Sequence, residues 1–147
     1  MIEKKEKILV AMSCGVDSSL AAALLLQQGY DVTGAFMVNY KEHDAHGLPC
    51  YTKDYRDAVR VAARLSIPIL KIEFSKEYKE QVLDYMFEEY KKGRTPNQDV
   101  VCNVFIKFVV WLKKAKELGF AKIATGHYAK LQKTHDGSYA LGQSKDD

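Results

Sequence analysis

Short apolar runs alternate along this chain with longer segments in which apolar residues recur every three or four positions. The short runs, rich in β-branched residues, are typical of buried strands, and the longer segments are typical of helices that pack on one face. The pattern predicts strands at Lys7–Met12, Asp31–Val38, 68–74 and 121–128. It predicts helices at 18–28, Thr52–Ser66, 75–92 and 104–118, the third of them capped by Ser75.

This alternation of strands and helices predicts an α/β fold, a Rossmann-like open parallel sheet with helices on both faces. The last segment, 129–143, predicts an antiparallel hairpin that turns at Asp136 and Gly137. Three polar segments directly follow predicted strands: 13–19, the loop from Asn39, and 125–128. Ligands bind beyond the carboxyl ends of parallel strands, so we expect a site where these three segments meet.

The composition is ordinary for a single globular domain over residues 1–147, with 47% hydrophobic residues and a net charge of +3. This mild positive charge permits a nucleotide or nucleic-acid partner without requiring one. No apolar stretch is long enough to span a membrane, and the first residues lack a signal-peptide layout. The three scattered cysteines argue against a disulfide framework and favour a cytoplasmic protein.

The segment Ala11–Ser19, AMSCGVDSS, lies between the first predicted strand and the first predicted helix. A helix N-terminus carries unpaired N–H groups and a partial positive charge, so it suits an oxyanion such as a phosphate. Ser13 and Ser18 add hydroxyl donors, and Gly15 allows close approach of the backbone. An ordinary helix cap by Ser or Asp explains the same residues, and the residues alone leave both interpretations open.

Cys14 occupies a position in this segment where a glycine would be easier to explain. If the backbone there has a positive φ, a side chain costs about 1–2 kcal/mol, whereas at a negative φ the thiol is tolerated. A thiol near a helix N-terminus is also a candidate for redox sensitivity, because the helix lowers its pKa. An inert cysteine is the more usual case.

The segment Gly93–Asn103, GRTPNQDVVCN, places an acid three residues before a thiol, next to a predicted helix start. A thiolate at a helix N-terminus is activated, and a carboxylate can move a proton. Asp99 and Cys102 are therefore candidates for one catalytic site. The structural alternative is that Asp99 caps the fourth helix and Cys102 is simply buried.

The first motif, SCGVDSS, resembles SGGxDSS, the pyrophosphate-loop signature of ATP pyrophosphatases, and departs from it at Cys14. The chain also contains, in order, GAFMVNY, LPCYTKDYRDAVRVAARLSIP, GRTPNQDVVCN and ATGHYAKL. This combination is similar to the tRNA-specific 2-thiouridylases of bacteria and mitochondria, and it covers nearly the whole chain. The resemblance implies an adenine nucleotide alpha-hydrolase-like fold. Gln98 replaces a proline of the family's second loop and makes it less rigid.

The resemblance implies roles for individual residues. Asp99 matches the acid or base and Cys102 the nucleophile, while Asp17 lies near the magnesium ion of bound ATP. The residues that match ATP contacts are Ala11, Met12, Ser13, Cys14, Gly15, Val16, Asp17, Ser18, Met37 and Gly126. The residues that match contacts to the target base, the wobble uridine of tRNA, are Asn97, Gln98 and Asp99. A further tRNA contact corresponds to Lys145, Asp146 and Asp147, the last of which departs from the family.

The implied reaction is the 2-thiolation of that uridine. ATP adenylates the 2-carbonyl oxygen, and a persulfide sulfur then replaces AMP. Cys102 resolves the persulfide through a disulfide or by releasing sulfide. In the family, a second cysteine carries the persulfide in a region absent here, where a central domain and a β-barrel domain help to hold tRNA. We therefore expect this chain to be the adenylation domain, with sulfur arriving from a donor protein or a cysteine desulfurase relay.

Two other functions stay open from the sequence. One is another pyrophosphate-loop ligase, which would not need the thiol at Cys102. The other is a non-catalytic module that binds nucleotide or tRNA, made inert by Cys14 and by the missing domains. A metal site is not predicted, because His43, His46 and Cys50 are too few and too loosely spaced for zinc.

Overall fold

The structure, a computed structural model, describes residues 5–43 and 45–144. Within these residues, four strands form a parallel sheet in the order β3-β2-β1-β4. They are β1 Lys7–Ala11, β2 Asp31–Val38, β3 Ile69–Glu73 and β4 Lys122–Ala124. The sheet is in register with Leu9 beside Thr33 and Ile123, and with Met37 beside Ile72. The predicted parallel sheet is confirmed, and each strand lies within the segment that the apolar pattern marked.

Four helical segments connect these strands, one after β1, one after β2 and two between β3 and β4. They are α1 Val16–Gln27, α2 Thr52–Leu65, α3 with its parts Ser75–Tyr78, Lys79–Leu83 and Asp84–Lys91, and α4 with its parts Gln98–Val101, Cys102–Val110 and Trp111–Glu117. The middle parts of α3 and α4 are π-helical. Beyond the sheet, β5 Lys130–Lys133 pairs antiparallel with β6 Tyr139–Gly142. This is the predicted hairpin, and Gly137 supplies a positive φ of 85° at its turn.

The core has two halves, one on each face of the sheet. Successive side chains of a strand point to opposite faces, and β1 follows this rule. Ile8 and Val10 pack with residues of α1 and α2, whereas Leu9 packs with Val82 of α3 and with α4. Leu9 is fully buried, and burying a side chain of this size stabilises the fold by about 1.5–3 kcal/mol. Helices therefore cover both faces, as predicted.

The predicted start of the fourth helix and the predicted cap of the third helix are wrong. The fourth helix begins at Gln98 rather than near 104, because the side chain of Asn97 accepts a hydrogen bond from the backbone N–H of Val100 at 3.1 Å. Ser75 is not the cap of α3, since Phe74 holds that position, and the Ser75 hydroxyl donates to Glu73 Oε1 at 2.6 Å instead.

Candidate active site

A cleft of about 360 Å³ lies at the carboxyl ends of β1, β2 and β4, the edge where the sequence places a site. From the segment after β1 it is lined by Ala11, Met12, Ser13, Gly15, Asp17 and Ser18. From β2 and the loop after it, the lining residues are Ala35, Phe36, Met37 and Asn39. The remaining lining residues are Asp54, Lys107, Thr125, Gly126 and His127. Cys14 and Val16, two of the predicted ATP contacts, are not among these lining residues.

Hydrogen bonds of its own serine hydroxyls stabilise the loop between β1 and α1. Ser18 Oγ donates to the Gly15 carbonyl at 3.0 Å and accepts from the backbone N–H of Ser13 at 3.3 Å. Gly15 is the N-cap of α1 and therefore has no side chain to cap the helix. The alternative of an ordinary Ser or Asp cap is thus wrong, and N–H groups at the start of α1 stay available to an anion beside the cleft.

Cys14 has a φ of 64°, in the left-handed region that favours glycine. The thiol is half-buried, and burial raises its pKa. The charge of Asp54 and a hydrogen bond with that carboxylate raise the pKa further. The thiol is therefore held in its protonated form, which argues against the redox-sensitive alternative.

Asp99 and Cys102 both lie in the first turns of α4, with Asn97 capping the helix before them. Asn97, and not Asp99, is the cap, so the capping role that the structural alternative gave to Asp99 is excluded. Asp99 is exposed, and together with Asn97 and Gln98 it lines a separate open depression beside the helix start. Cys102 is half-buried.

The thiol of Cys102 is not activated by its position in this helix. Burial raises its pKa, the nearby Lys107 opposes that change, and the charge of Asp99 adds to it. A thiolate at this position therefore needs a base or a change of environment. Cys102 also begins the π-helical part of α4, a form that is often found at functional sites.

Lys107 and His127 connect α4 to the cleft. Both line it, and no carboxylate pairs with Lys107 among the described residues. His127 Nδ1 lies 2.8 Å from Thr125 Oγ1, and its Nε2 lies 3.3 Å from Asn103 Oδ1. Burial lowers the pKa of His127, and the charge of Lys107 lowers it further, so the ring is neutral at pH 7.

Residues 6–147 match the family described as the tRNA methyl transferase HUP domain. The chain belongs to this family. It is 52% identical over 135 residues to the tRNA-specific 2-thiouridylase MnmA of Lactiplantibacillus plantarum, which covers 92% of this chain and 36% of that relative. It is 48% identical over 143 residues to the enzyme of the same name from Halalkalibacterium halodurans. This match covers 97% of this chain and 38% of that relative. The resemblance to tRNA-specific 2-thiouridylases is confirmed. This chain spans between a third and two fifths of the length of these relatives.

Solved structures show the same fold at low sequence identity. A predicted tRNA methyltransferase subunit of Methanocaldococcus jannaschii matches the HUP domain with a TM-score of 0.58 at 20% identity, covering 84% of this chain and 53% of that one. The NMN synthetase of Francisella tularensis matches with a TM-score of 0.51 at 17% identity. This match covers 81% of this chain and 44% of that one. Both support the α/β architecture of the HUP domain.

Sequence reasoning missed Lys107 and Asp54 as lining residues of the HUP domain cleft, whereas the loop from Asn39 was expected at this edge. Lys107 lies within an amphipathic helix, where one more lysine gives no signal of its own. Asn39 carries a buried Oδ1 without a hydrogen-bond partner in the described part of the chain, which only the packing around it reveals.

Several other predictions concern sites outside the cleft. Lys145, Asp146 and Asp147, the predicted tRNA contact, lie outside the described residues. Among the residues that are described, no group of three or more His, Cys, Asp and Glu side chains is arranged to hold a metal ion. In the same residues, every helix is too short or too polar to cross a lipid bilayer.

Proposed function

We propose that this HUP domain activates a uridine of tRNA by adenylating its 2-carbonyl oxygen with ATP, as the first half of a 2-thiolation. One observation carries the proposal. A single cleft is lined by the loop 13–18, which suits phosphates, and by Lys107 of α4, the helix whose first turns carry Asp99 and Cys102 outside the cleft. ATP-dependent sulfur transfer needs this combination of an anion site with an acid and a thiol nearby.

The cleft offers complementary groups to both ends of ATP. At the loop, the hydroxyl of Ser13 and the free N–H groups of α1 suit the phosphates, while the Ser18 hydroxyl is already used on the Gly15 carbonyl. Lys107 supplies positive charge from the α4 side. Beyond Met37, the unpartnered Oδ1 of Asn39 is a buried acceptor, and a ligand amino group would satisfy it.

Magnesium fits this site through carboxylates. Asp17 and Asp54 are the two that line the cleft, and Mg²⁺ is usually bound by one or two carboxylates together with substrate phosphates. When bound, the ion would neutralise charge on the phosphates as pyrophosphate leaves. The pyrophosphate-loop residues would therefore position the α-phosphate for attack by the uridine oxygen.

In the sulfur-transfer step, Cys102 acts as the resolving thiol. The terminal sulfur of a donor persulfide attacks C2 of the adenylated uridine, and AMP leaves. The Cys102 thiolate then attacks the donor's cysteine sulfur, so that the S–S bond breaks, a new disulfide forms and 2-thiouridine is released. A thiol reductant restores both cysteines. In the other order, Cys102 attacks the persulfide first and releases hydrosulfide, which attacks C2. Asp99 is the nearby base for the Cys102 proton.

The partners follow from this chemistry. The substrate is a tRNA with uridine at the wobble position, and the sulfur comes from a donor protein or from a cysteine desulfurase relay. Reduced thiols and a tRNA substrate favour a reaction in the cytoplasm. The positive φ of Cys14 favours one alternative, a nucleotide- or tRNA-binding domain without catalysis, because a side chain there strains the loop that would bind phosphate.

Pyrophosphate release tests the proposal. The chain is incubated with ATP and magnesium, with and without unthiolated tRNA, beside the variants Asp17→Ala and Asp84→Ala. Asp84 lies on α3 away from the cleft and is the matched control. We expect release that depends on tRNA, that is lost in Asp17→Ala and that persists in Asp84→Ala.

The Cys14→Gly variant separates the two candidate functions. Release by Cys14→Gly but not by the unaltered chain would mean that Cys14 disables the loop, which supports the non-catalytic alternative. Absence of ATP binding in both chains, measured by calorimetry, would contradict the proposal. In an enzyme completed with the remaining domains, Cys102→Ser should keep ATP binding and lose sulfur transfer. Loss of ATP binding in that variant would refute the role given to Cys102.

A further inference from the structure

The proposed function puts two parts of the chain into one reaction, the nucleotide cleft and the helix of Cys102. We infer that His127 is the positioning residue that joins them, so that a nucleotide in the cleft sets the reactivity of Cys102. This inference rests on the proposed function. It concerns a residue that holds other groups in place and does not itself react.

On the cleft side, the segment Thr125–His127 is seated directly against the start of α1. A Cβ atom placed on Gly126 would lie 2.6 Å from the backbone nitrogen of Ser18 and 2.8 Å from the carbonyl carbon of Asp17. The backbone of this segment therefore packs directly on the loop that we assign to the phosphates, and it cannot move toward α1 without displacing that loop. His127, the next residue, exposes part of its ring to the cleft, within reach of a bound nucleotide.

On the helix side, His127 contacts α4 at two points. Its Nε2 lies 3.3 Å from Asn103 Oδ1, and Asn103 is the neighbour of Cys102 in the chain. Its ring centroid lies 5.6 Å from that of Phe108, five residues further along the same helix. The helix itself is anchored by its buried residues Ile106 and Trp111, and the two contacts of His127 add a link on its exposed side, the first of them next to the thiol.

The hydrogen bonds of the His127 ring determine its tautomer and its orientation. A neutral ring protonated on Nε2 donates to Asn103 Oδ1, while Nδ1 accepts from the Thr125 hydroxyl at 2.8 Å. Both nitrogens are then engaged, so the ring has one orientation and no free lone pair for a substrate proton. His127 is therefore suited to holding α4 in place and is not suited to acting as a general base.

The rate of Cys102 alkylation measures the coupling between the nucleotide cleft and this thiol. The assay needs neither tRNA nor catalytic turnover. The 147-residue chain reacts with iodoacetamide with and without a non-hydrolysable ATP analogue and magnesium, and mass spectrometry follows each cysteine peptide. We expect the analogue to change the Cys102 rate by about fivefold or more, the lower end of typical coupling between two sites. Cys50 is exposed and does not line the cleft, so its rate is the internal control and should stay constant.

Variants then assign the effect to His127. His127→Ala removes a side chain that lines the cleft, so the analogue should bind more weakly in calorimetry, and at saturating concentration it should no longer change the Cys102 rate. His127→Gln keeps an N–H donor and should restore part of the effect, whereas His135→Ala, in the hairpin turn, should behave as the unaltered chain. If His127→Ala does not fold, Asn103→Ala breaks the same link from the helix side.

The outcomes separate the inference from the proposed function. Binding of the analogue without a change at Cys102 overturns the inference alone. A nucleotide effect that persists in His127→Ala overturns it as well, because the nucleotide then shields the thiol directly. Failure of the unaltered chain to bind the analogue overturns the proposed function and the inference together.

Discussion

Replacing Gly126 by alanine tests the contact between the segment after β4 and the start of α1. The added Cβ would lie 2.6 Å from the Ser18 nitrogen, whereas ordinary van der Waals contact begins at 3.4 Å, so the two backbones must separate by about 0.8 Å. Overpacking of this kind costs about 1–3 kcal/mol of folding free energy. Because backbone lies on both sides, no flexible side chain can give way.

The same displacement moves the N–H groups at the start of α1 away from the position of a bound phosphate. A hydrogen bond to a charged group is worth about 1.5–3 kcal/mol. Loss of one such bond in Gly126→Ala should therefore weaken ATP binding by about tenfold to a hundredfold.

Urea unfolding and calorimetric titration with ATP and magnesium measure the two effects. Gly142→Ala is the matched control, because its Cβ would lie 3.7 Å from the Lys130 carbonyl oxygen and needs no rearrangement. If Gly126→Ala unfolds at the same urea concentration as Gly142→Ala and binds ATP as tightly, the close contact does not support the phosphate site and the reasoning is wrong.

Three further predictions follow from other residues. Cys14→Gly should raise the free energy of unfolding by about 1 kcal/mol in urea, and Ser66→Gly, at another positive φ, should give a similar gain without changing ATP affinity. Lys107→Met should weaken ATP binding by about tenfold in calorimetry, whereas Lys113→Met, elsewhere on α4, should not. Hydroxyl groups in the hairpin turn lower the pKa of Asp136 to about 2, so its stabilisation is complete above its ordinary pKa and is lost as pH falls through about 2. NMR titration of Asp136 and acid unfolding of Asp136→Asn check this, and an ordinary pKa for Asp136 would contradict it.

The elements of the fold were predictable because they depend on neighbours in the chain. The apolar run at β2 matches its observed bounds, and Asp136 and Gly137 mark the hairpin turn through their own backbone preferences. The start of α4 was predicted too late because the sequence reading used apolar periodicity. Asn97 is a recognisable cap, and it would have located the start of the helix at Gln98.

The candidate site was predictable only in part. Ser13–Ser18 and Gly126 follow strands of a parallel sheet, so their meeting at one edge follows from the fold class. The hydrogen bond between His127 and Asn103 joins two segments that are far apart in the chain, and no local sequence pattern predicts it. The same holds for Lys107, whose place in the cleft depends on how α4 packs against the sheet.

By itself, the sequence determined the α/β alternation, the polar loop between the first strand and the first helix, and the family, because each depends on residues that are close together in the chain. Only the tertiary structure decided the left-handed backbone of Cys14, the raised pKa of Cys102 and the bridge from His127 to α4. Burial, electrostatic fields and contacts between distant segments exist only once the chain has packed. For that reason, the sequence could point to candidate residues, whereas the structure was needed to show which of them lie together.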